Sequence, residues 1–303
     1  MDTFVRDGLT FDVTDSGPAG GEVVILLHGF PQDRRAWDKV TPELNAAGHR
    51  TLAPDQRGYS PRATPKSRTA YGLDQLALDV IALADAAGAA RVHVVGHDWG
   101  GAVAWHLASR HSDRVASVTV LSTPHPAAMG WAFTHSDQWR KSGYMVFFQL
   151  PWIAERSVHR RLPGLYVKTG MTAEDAAKYA EKFATPASLS GGLGWYRSMP
   201  ASKAMLSSMK RSAKAKRAAA PSSAGAATAA PRSRKVQVPT TYVWGSHDFA
   251  LGRAAAEKTA EFIGGDYEFV EVPDAGHWLP EVNADLVSEA ILQRITSAGA
   301  TDN

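Results

Sequence analysis

Arg91-Val92-His93-Val94-Val95-Gly96-His97-Asp98-Trp99-Gly100-Gly101 is the stretch that decides the fold. Its first half is an apolar, β-branched run ending at Gly96, the pattern of a strand buried on both faces. A helical pattern, Ala102 to Arg110, begins directly after Gly101. One charged side chain, Asp98, stands where strand turns into helix. Gly96, Gly100 and Gly101 surround it at small-x-Asp-x-small-small spacing. A turn that tight is strained and leaves no room for side chains at its flanks. On one reading Asp98 is the N-cap of an ordinary strand-to-helix turn. On the other it is a carboxylate held out at the tip of the turn to react.

On both sides of this turn, strands alternate with helices. Glu22 to Leu27 is a second buried-strand run and ends in His28-Gly29-Phe30-Pro31. A helix is expected over Arg35 to Ala47, closed by Gly48. His49 to Pro54 reads as a strand, and Pro61 and Pro65 mark a loop. Leu73 to Ala87 has the pattern of an amphipathic helix, and Val115 to Ser122 that of a strand. Pro239 to Trp244 is the next strand, with Gly245-Ser246-His247-Asp248 as its C-terminal turn. A helix over Arg253 to Ile263, a strand over Tyr267 to Val272 and a last helix over Pro280 to Ile295 complete the pattern. Leu9 to Val13 alternates weakly as a leading strand. Alternation of this kind predicts an α/β fold with a mostly parallel central sheet flanked by helices.

Thr123-Pro124-His125-Pro126 interrupts the alternation, and the chain beyond Pro126 turns helical and aromatic. Residues 124–235 are therefore expected to form an inserted helical cap on a core domain of residues 1–123 and 236–303. Most of the cap's aromatic residues are expected to form its own core. Residues 201–235 hold nine Lys or Arg and no acid, so that the rest of the chain falls from a net charge of +3 to −6. This segment is rich in Ala, Ser and Pro, and Ala218 to Arg234 reads as disordered linker. An RNA or anionic-lipid contact is the functional reading, but no aromatic residue is interleaved for base stacking.

The 303 residues are 44% hydrophobic and 21% charged, ample for one large α/β domain with an insertion. Cysteine is absent, which excludes disulfides and thiolate metal sites. Residues 1–20 show no apolar signal-peptide core, and no run of about 18 apolar residues exists to span a membrane. A cytoplasmic protein is expected, with no nucleic-acid partner. A homodimer stays open.

The Asp98 turn, the His28-Gly29-Phe30-Pro31 turn, Asp248 and His277 together resemble the α/β-hydrolase fold family. More closely, they resemble its epoxide hydrolase branch, over nearly the whole chain except residues 201–235. Each motif lies at the C-terminal end of an expected strand, where open parallel sheets place their active sites. The order nucleophile, acid, histidine is Asp98, Asp248, His277. Asp55 and Asp274 are rivals for the acid, and His28, His97 and His125 for the base.

An aspartate in the place of the usual serine restricts the chemistry. A carboxylate of pKa near ~3.9 is ionised without a base. Its attack on an ester or amide yields an anhydride, whereas attack on a saturated carbon bearing a leaving group yields a stable alkyl ester. The substrate is then an epoxide or an alkyl halide. His277, oriented by Asp248, is suited to activate water for hydrolysis of that ester. The resemblance implies an oxyanion hole made by the backbone N–H groups of Phe30 and Trp99. It also implies two cap tyrosines, Tyr144 and Tyr196, that donate protons to the opening ring, with Tyr166 and Tyr179 structural. Phe30, Trp99, Tyr144 and Tyr196 would contact a small apolar epoxide. Hydrolysis to a vicinal diol through a covalent Asp98 ester is the activity implied, with water as co-substrate. Haloalkane dehalogenases share Trp99 after the nucleophile and are the alternative, although they usually add a donor where Phe30 stands. A non-catalytic binding protein on the same fold is the second alternative. No metal cluster and no dinucleotide fingerprint is present, so no cofactor is expected.

Overall fold

β3 (Val23–Leu27) and β5 (Val92–His97) lie side by side in parallel at the centre of the sheet, every residue of both buried. Runs of Val, Ile and Leu with no polar alternation suit only such a position. The computed structural model describes residues 1–199 and 235–301. Within them an eight-stranded sheet runs in the order β1-β2-β4-β3-β5-β6-β7-β8. β1 (Thr3–Arg6) and β2 (Leu9–Ser16) are antiparallel to their neighbours, and β4 (Arg50–Pro54), β6 (Val115–Leu121), β7 (Thr240–Gly245) and β8 (Tyr267–Val272) extend the parallel part.

The flanking helices are α1 (Thr41–Ala46), α2 (Leu73–Ala86) and α3 (Trp99–Arg110). Among the described residues six more lie between β6 and β7: α4 (Pro126–His135), α5 (Gln138–Lys141), α6 (Tyr144–Phe147), α7 (Ile153–Lys168), α8 (Ala173–Lys182) and α9 (Ser190–Ser198). After β7 come α10 (Arg253–Lys258), α11 (Leu279–Val282) and α12 (Ala284–Thr301). The expectations for residues 201–234, including linker character at Ala218 to Arg234, lie outside the described residues. Among the described residues no helix is long and apolar enough to cross a membrane.

Three expected helices are interrupted. Arg35 to Ala47 is a 3-10 turn (Arg34–Trp37) followed by α1. Pro42 supplies no N–H and suits only the first turn of a new helix. Arg253 to Ile263 tightens to a 3-10 turn at Thr259–Phe262, and the last helix breaks at Asn283 and then runs on to Thr301. β1 has no signal of its own, being short and at the sheet edge.

The helical insertion meets the core backbone to backbone at Gly191 in α9 and Gly58. A Cβ at Gly191 would lie 2.0 Å from the Gly58 carbonyl oxygen and 2.5 Å from its Cα. Gly191→Ala is expected to destabilise the protein by about 1–3 kcal/mol, since backbone on both sides must shift. Gly130→Ala, where a Cβ meets nothing within 4 Å, serves as the control and should be neutral or slightly stabilising. Urea unfolding of both variants checks this; equal stability would mean that the contact yields freely.

Candidate active site

Asp98 bridges β5 and α3 with φ 49° and ψ −117°, a conformation that L-residues rarely adopt. The surrounding backbone leaves it little choice. A Cβ at Gly96 would meet the Gly100 carbonyl oxygen at 2.3 Å, and one at Gly100 would meet the Leu27 carbonyl oxygen at 2.1 Å. The turn is thus wedged against the end of β3, and that contact delivers the next group. The Phe30 N–H donates to Asp98 Oδ1 at 2.8 Å, and the Trp99 N–H adds its pull on the same carboxylate. The Thr123 hydroxyl donates to the Asp98 carbonyl at 2.6 Å, tying the turn to the end of β6. Asp98 makes no side-chain capping bond to its helix, so the N-cap reading does not describe it.

Asp248 and His277 arrive from the ends of β7 and β8. His277 Nδ1 lies 2.8 Å from Asp248 Oδ2, and its Nε2 lies 3.7 Å from Asp98 Oδ2. Asp248 Oδ1 accepts from the N–H groups of Ala250 and Leu251 at 2.8 and 2.9 Å, which fixes the carboxylate. The Asp248 side chain is fully buried, whereas that of Asp98 is 14% exposed and faces a cavity. The rivals are engaged elsewhere. Asp55 pairs with Arg34 and Lys182, Asp274 is exposed, and His125 caps α4. His28 is buried against the Gly29 carbonyl and the Gln56 N–H.

Electrostatics follow from this burial of charge. Burial pulls the His277 imidazolium down, but Asp248, by charge and hydrogen bond, and Asp98 outweigh it and carry its pKa up to about 9. Burial raises the Asp98 carboxyl above its ordinary value, against the pull of His277 and of the Phe30 and Trp99 N–H groups.

The cavity in front of Asp98 has a volume of about 340 Å³ and is lined mainly by apolar and aromatic side chains, among them Phe30, Phe148, Leu162 and Trp278. Tyr144 from α6 and Tyr196 from α9 face into it, their ring centroids 6.1 Å apart. Tyr196 meets Trp99 edge-on at 4.9 Å and Phe30 at 5.3 Å. Burial first, then the nearby acidic groups, hold both phenols protonated well above the ordinary tyrosine range. Tyr166 lines the same cavity but donates its hydroxyl to the Pro31 carbonyl, and Tyr179 donates to Glu281 at 2.6 Å.

Sequence reasoning did not find the layer behind His277. Gln32 donates to Glu281 Oε1 at 2.6 Å, and its own Oε1 accepts from the Gly29 N–H. His97 Nδ1 lies 2.8 Å from Gln32 Oε1, while its Nε2 lies 2.8 Å from the His277 carbonyl oxygen, to which Ser122 Oγ also donates. Burial pushes Glu281 up to about 7. Gln32 directly follows the Pro31 turn and was the one available signal.

A family model described as the α/β hydrolase fold matches residues 22–284. The chain is 32% identical to AB hydrolase superfamily protein YfhM of Bacillus subtilis, over 95% of this chain and 94% of that one. It is 30% identical to epoxide hydrolase A of Mycobacterium tuberculosis, over 96% and 95%. Among solved structures, an epoxide hydrolase from hot-environment metagenomes superposes with a TM-score of 0.79 at 30% identity, covering 97% of each chain. Epoxide hydrolase A from Mycobacterium thermoresistibile superposes at 0.75 and 25% identity, covering 96% of each.

The raised pKa of His277 makes a stability prediction. A histidine held above its unfolded value of about 6.5 contributes stability that is complete below that pH and is lost as pH rises through about 9. The stability difference between wild type and His277→Gln should therefore shrink between pH 6.5 and about pH 10. Thermal melts across that window check it. A gap that stays constant would show that no imidazolium sits between the two carboxylates.

Proposed function

The chain belongs to the α/β-hydrolase fold family, and on that premise we propose that it is an epoxide hydrolase with Asp98 as nucleophile. The observation that carries the reading is a carboxylate at the tip of the strained turn, facing two buried tyrosine hydroxyls across an apolar cavity. The relatives named as epoxide hydrolases support it. The helices between β6 and β7 act as a cap that brings those hydroxyls over Asp98.

In the first step an Asp98 oxygen attacks one ring carbon and the carbon–oxygen bond of the epoxide breaks. The leaving oxygen is a strongly basic alkoxide and takes a proton from Tyr144 or Tyr196, either of which is protonated at any physiological pH. The product is an alkyl ester on Asp98. In the second step His277 takes a proton from water, and the water oxygen attacks the Asp98 carboxyl carbon. The N–H groups of Phe30 and Trp99, already aimed at that carboxylate, stabilise the oxyanion. Collapse breaks the ester bond, releases the diol and leaves one water oxygen in Asp98. The departing alkoxide takes the remaining proton of the water, so the cycle ends with Asp98 ionised and His277 as the imidazolium of the resting site.

Alkylation also prepares the base. In the resting site His277 sits between two carboxylates and is an imidazolium at neutral pH. The ester removes the Asp98 charge, so the imidazolium loses one of the two charges that hold its proton and passes that proton to the tyrosinate left by ring opening, which leaves a neutral imidazole to act on water. Attack thus precedes base activation by construction, and water is not activated in an empty site.

The cavity admits an apolar epoxide of modest size. A halide would need a donor beside Trp99, and the Phe30 side chain offers none.

His277→Gln should separate the half-reactions. The variant is expected to consume about one equivalent of epoxide and stop. Mass spectrometry should find the adduct on the peptide carrying Asp98, and Asp98→Ala should form none. Steady diol production by His277→Gln would exclude the ester route.

Tyr144→Phe and Tyr196→Phe should each slow single-turnover alkylation by roughly 10²-fold or less, and the double variant should nearly abolish it, because each hydroxyl partly replaces the other. Retention of chloroalkane turnover with unchanged rates in both single variants would favour dehalogenation instead.

A further inference from the structure

α7 forms one wall of the substrate cavity through Val158, Leu162 and Leu165, and turns its other side to solvent. That outer side carries Arg156, Arg160 and Lys168, and Arg161 stands at the cavity edge, all four exposed. Glu155 is the only acid in the helix, and it is buried against Arg197 at 2.6 Å. Among the described residues the four cations form no ion pair. At the head of the helix Trp152 is 76% exposed and Ile153 58% exposed. Trp152 holds φ 72°, a conformation that a bulky side chain resists. Beside it, a groove of about 520 Å³ is bordered by Lys66, Arg68 and Arg156.

We propose that this face docks on an anionic phospholipid surface. The pattern is that of an interfacial helix, with apolar side chains entering the headgroup boundary and arginines meeting the phosphates. An indole suits that boundary, being apolar with one polar edge. The groove cations beside Trp152 take headgroup phosphates at the depth to which Trp152 and Ile153 enter. An acidic protein would match the charges as well, but Arg161 and Leu165 line the cavity on this same helix, so a protein seated there closes the cavity mouth. A bilayer instead opens that mouth to epoxides dissolved in lipid. This last consequence rests on the proposed reaction; the docking does not.

The test is flotation of the full chain with vesicles of phosphatidylcholine containing phosphatidylglycerol, against vesicles of phosphatidylcholine alone. Binding to the anionic vesicles only, weakened by added salt, is expected. Arg156→Ala/Arg160→Ala should lower the vesicle partition coefficient about thirtyfold, and Trp152→Ser/Ile153→Ser by a comparable factor. Both double variants keep every Lys and Arg of residues 201–235, so wild-type binding by either of them overturns the assignment to α7. Binding of polyglutamate without vesicle binding overturns it in favour of an acidic protein partner. Turnover of a water-soluble epoxide, unchanged in both variants, shows that they fold. Absence of turnover in the wild type would count against the proposed reaction and leave the flotation result standing.

Discussion

Asp98 is held in a backbone conformation that costs an L-residue about 1–3 kcal/mol, and the centre of the molecule is arranged around holding it there. β5 is clamped by β3 over His93–Gly96 and by β6 as far as His97, so the residues that lead into the turn have little freedom to relax. Gly96 and Gly100 let the turn fold back on itself and press against Leu27. Thr123 fastens it from the β6 side. The same compression puts the Phe30 N–H on the Asp98 carboxylate. The strained turn and the N–H donor on its carboxylate are therefore one construction, and the parallel sheet is the frame that makes it rigid.

Charge is organised with similar economy. Two carboxylates and one imidazole are buried within reach of one another, with a net charge of −1 when the imidazole is protonated. The N–H groups of Ala250 and Leu251 lock Asp248 so that it cannot follow the imidazole when the charge state changes. In the proposed reaction only the Asp98 charge varies, and His277 responds to it. Behind His277, Ser122 and His97 hold its carbonyl, so the ring keeps its place while its proton comes and goes.

The parallel sheet and the Asp98 turn were legible in the sequence because their signals are local, while Asp248 and His277 were singled out from Asp55, Asp274, His28, His97 and His125 through the resemblance. Buried strands show as unbroken runs of Val, Ile and Leu, and the turns that follow them carry Gly, His and Asp at short spacing. Tyr144 and Tyr196 were legible only through resemblance, since nothing in the local pattern of α6 or α9 distinguishes them from packing aromatics. The Gln32–Glu281–Tyr179 layer was not legible. Its members lie up to 249 residues apart and meet only through tertiary packing. The breaks at Pro42 and Asn283 were missed because amphipathic spacing persists across them while the backbone hydrogen bonds do not.

The contact between Gly58 and Gly191 sets a rule for recombination. α9 carries Tyr196, and besides its packed side chains it meets the core at one point through two bare backbones, which cannot repack as side chains can. An insertion transplanted from a related chain will therefore keep the residue at the Tyr196 position in register over Asp98 only if both partners of the junction are glycine. A chimera that brings a side chain to either position will fold with its lid lifted by the width of a methyl group. The exchangeable unit in this architecture is the insertion together with the loop after β4, and the boundary drawn at β6 and β7 alone cuts through it.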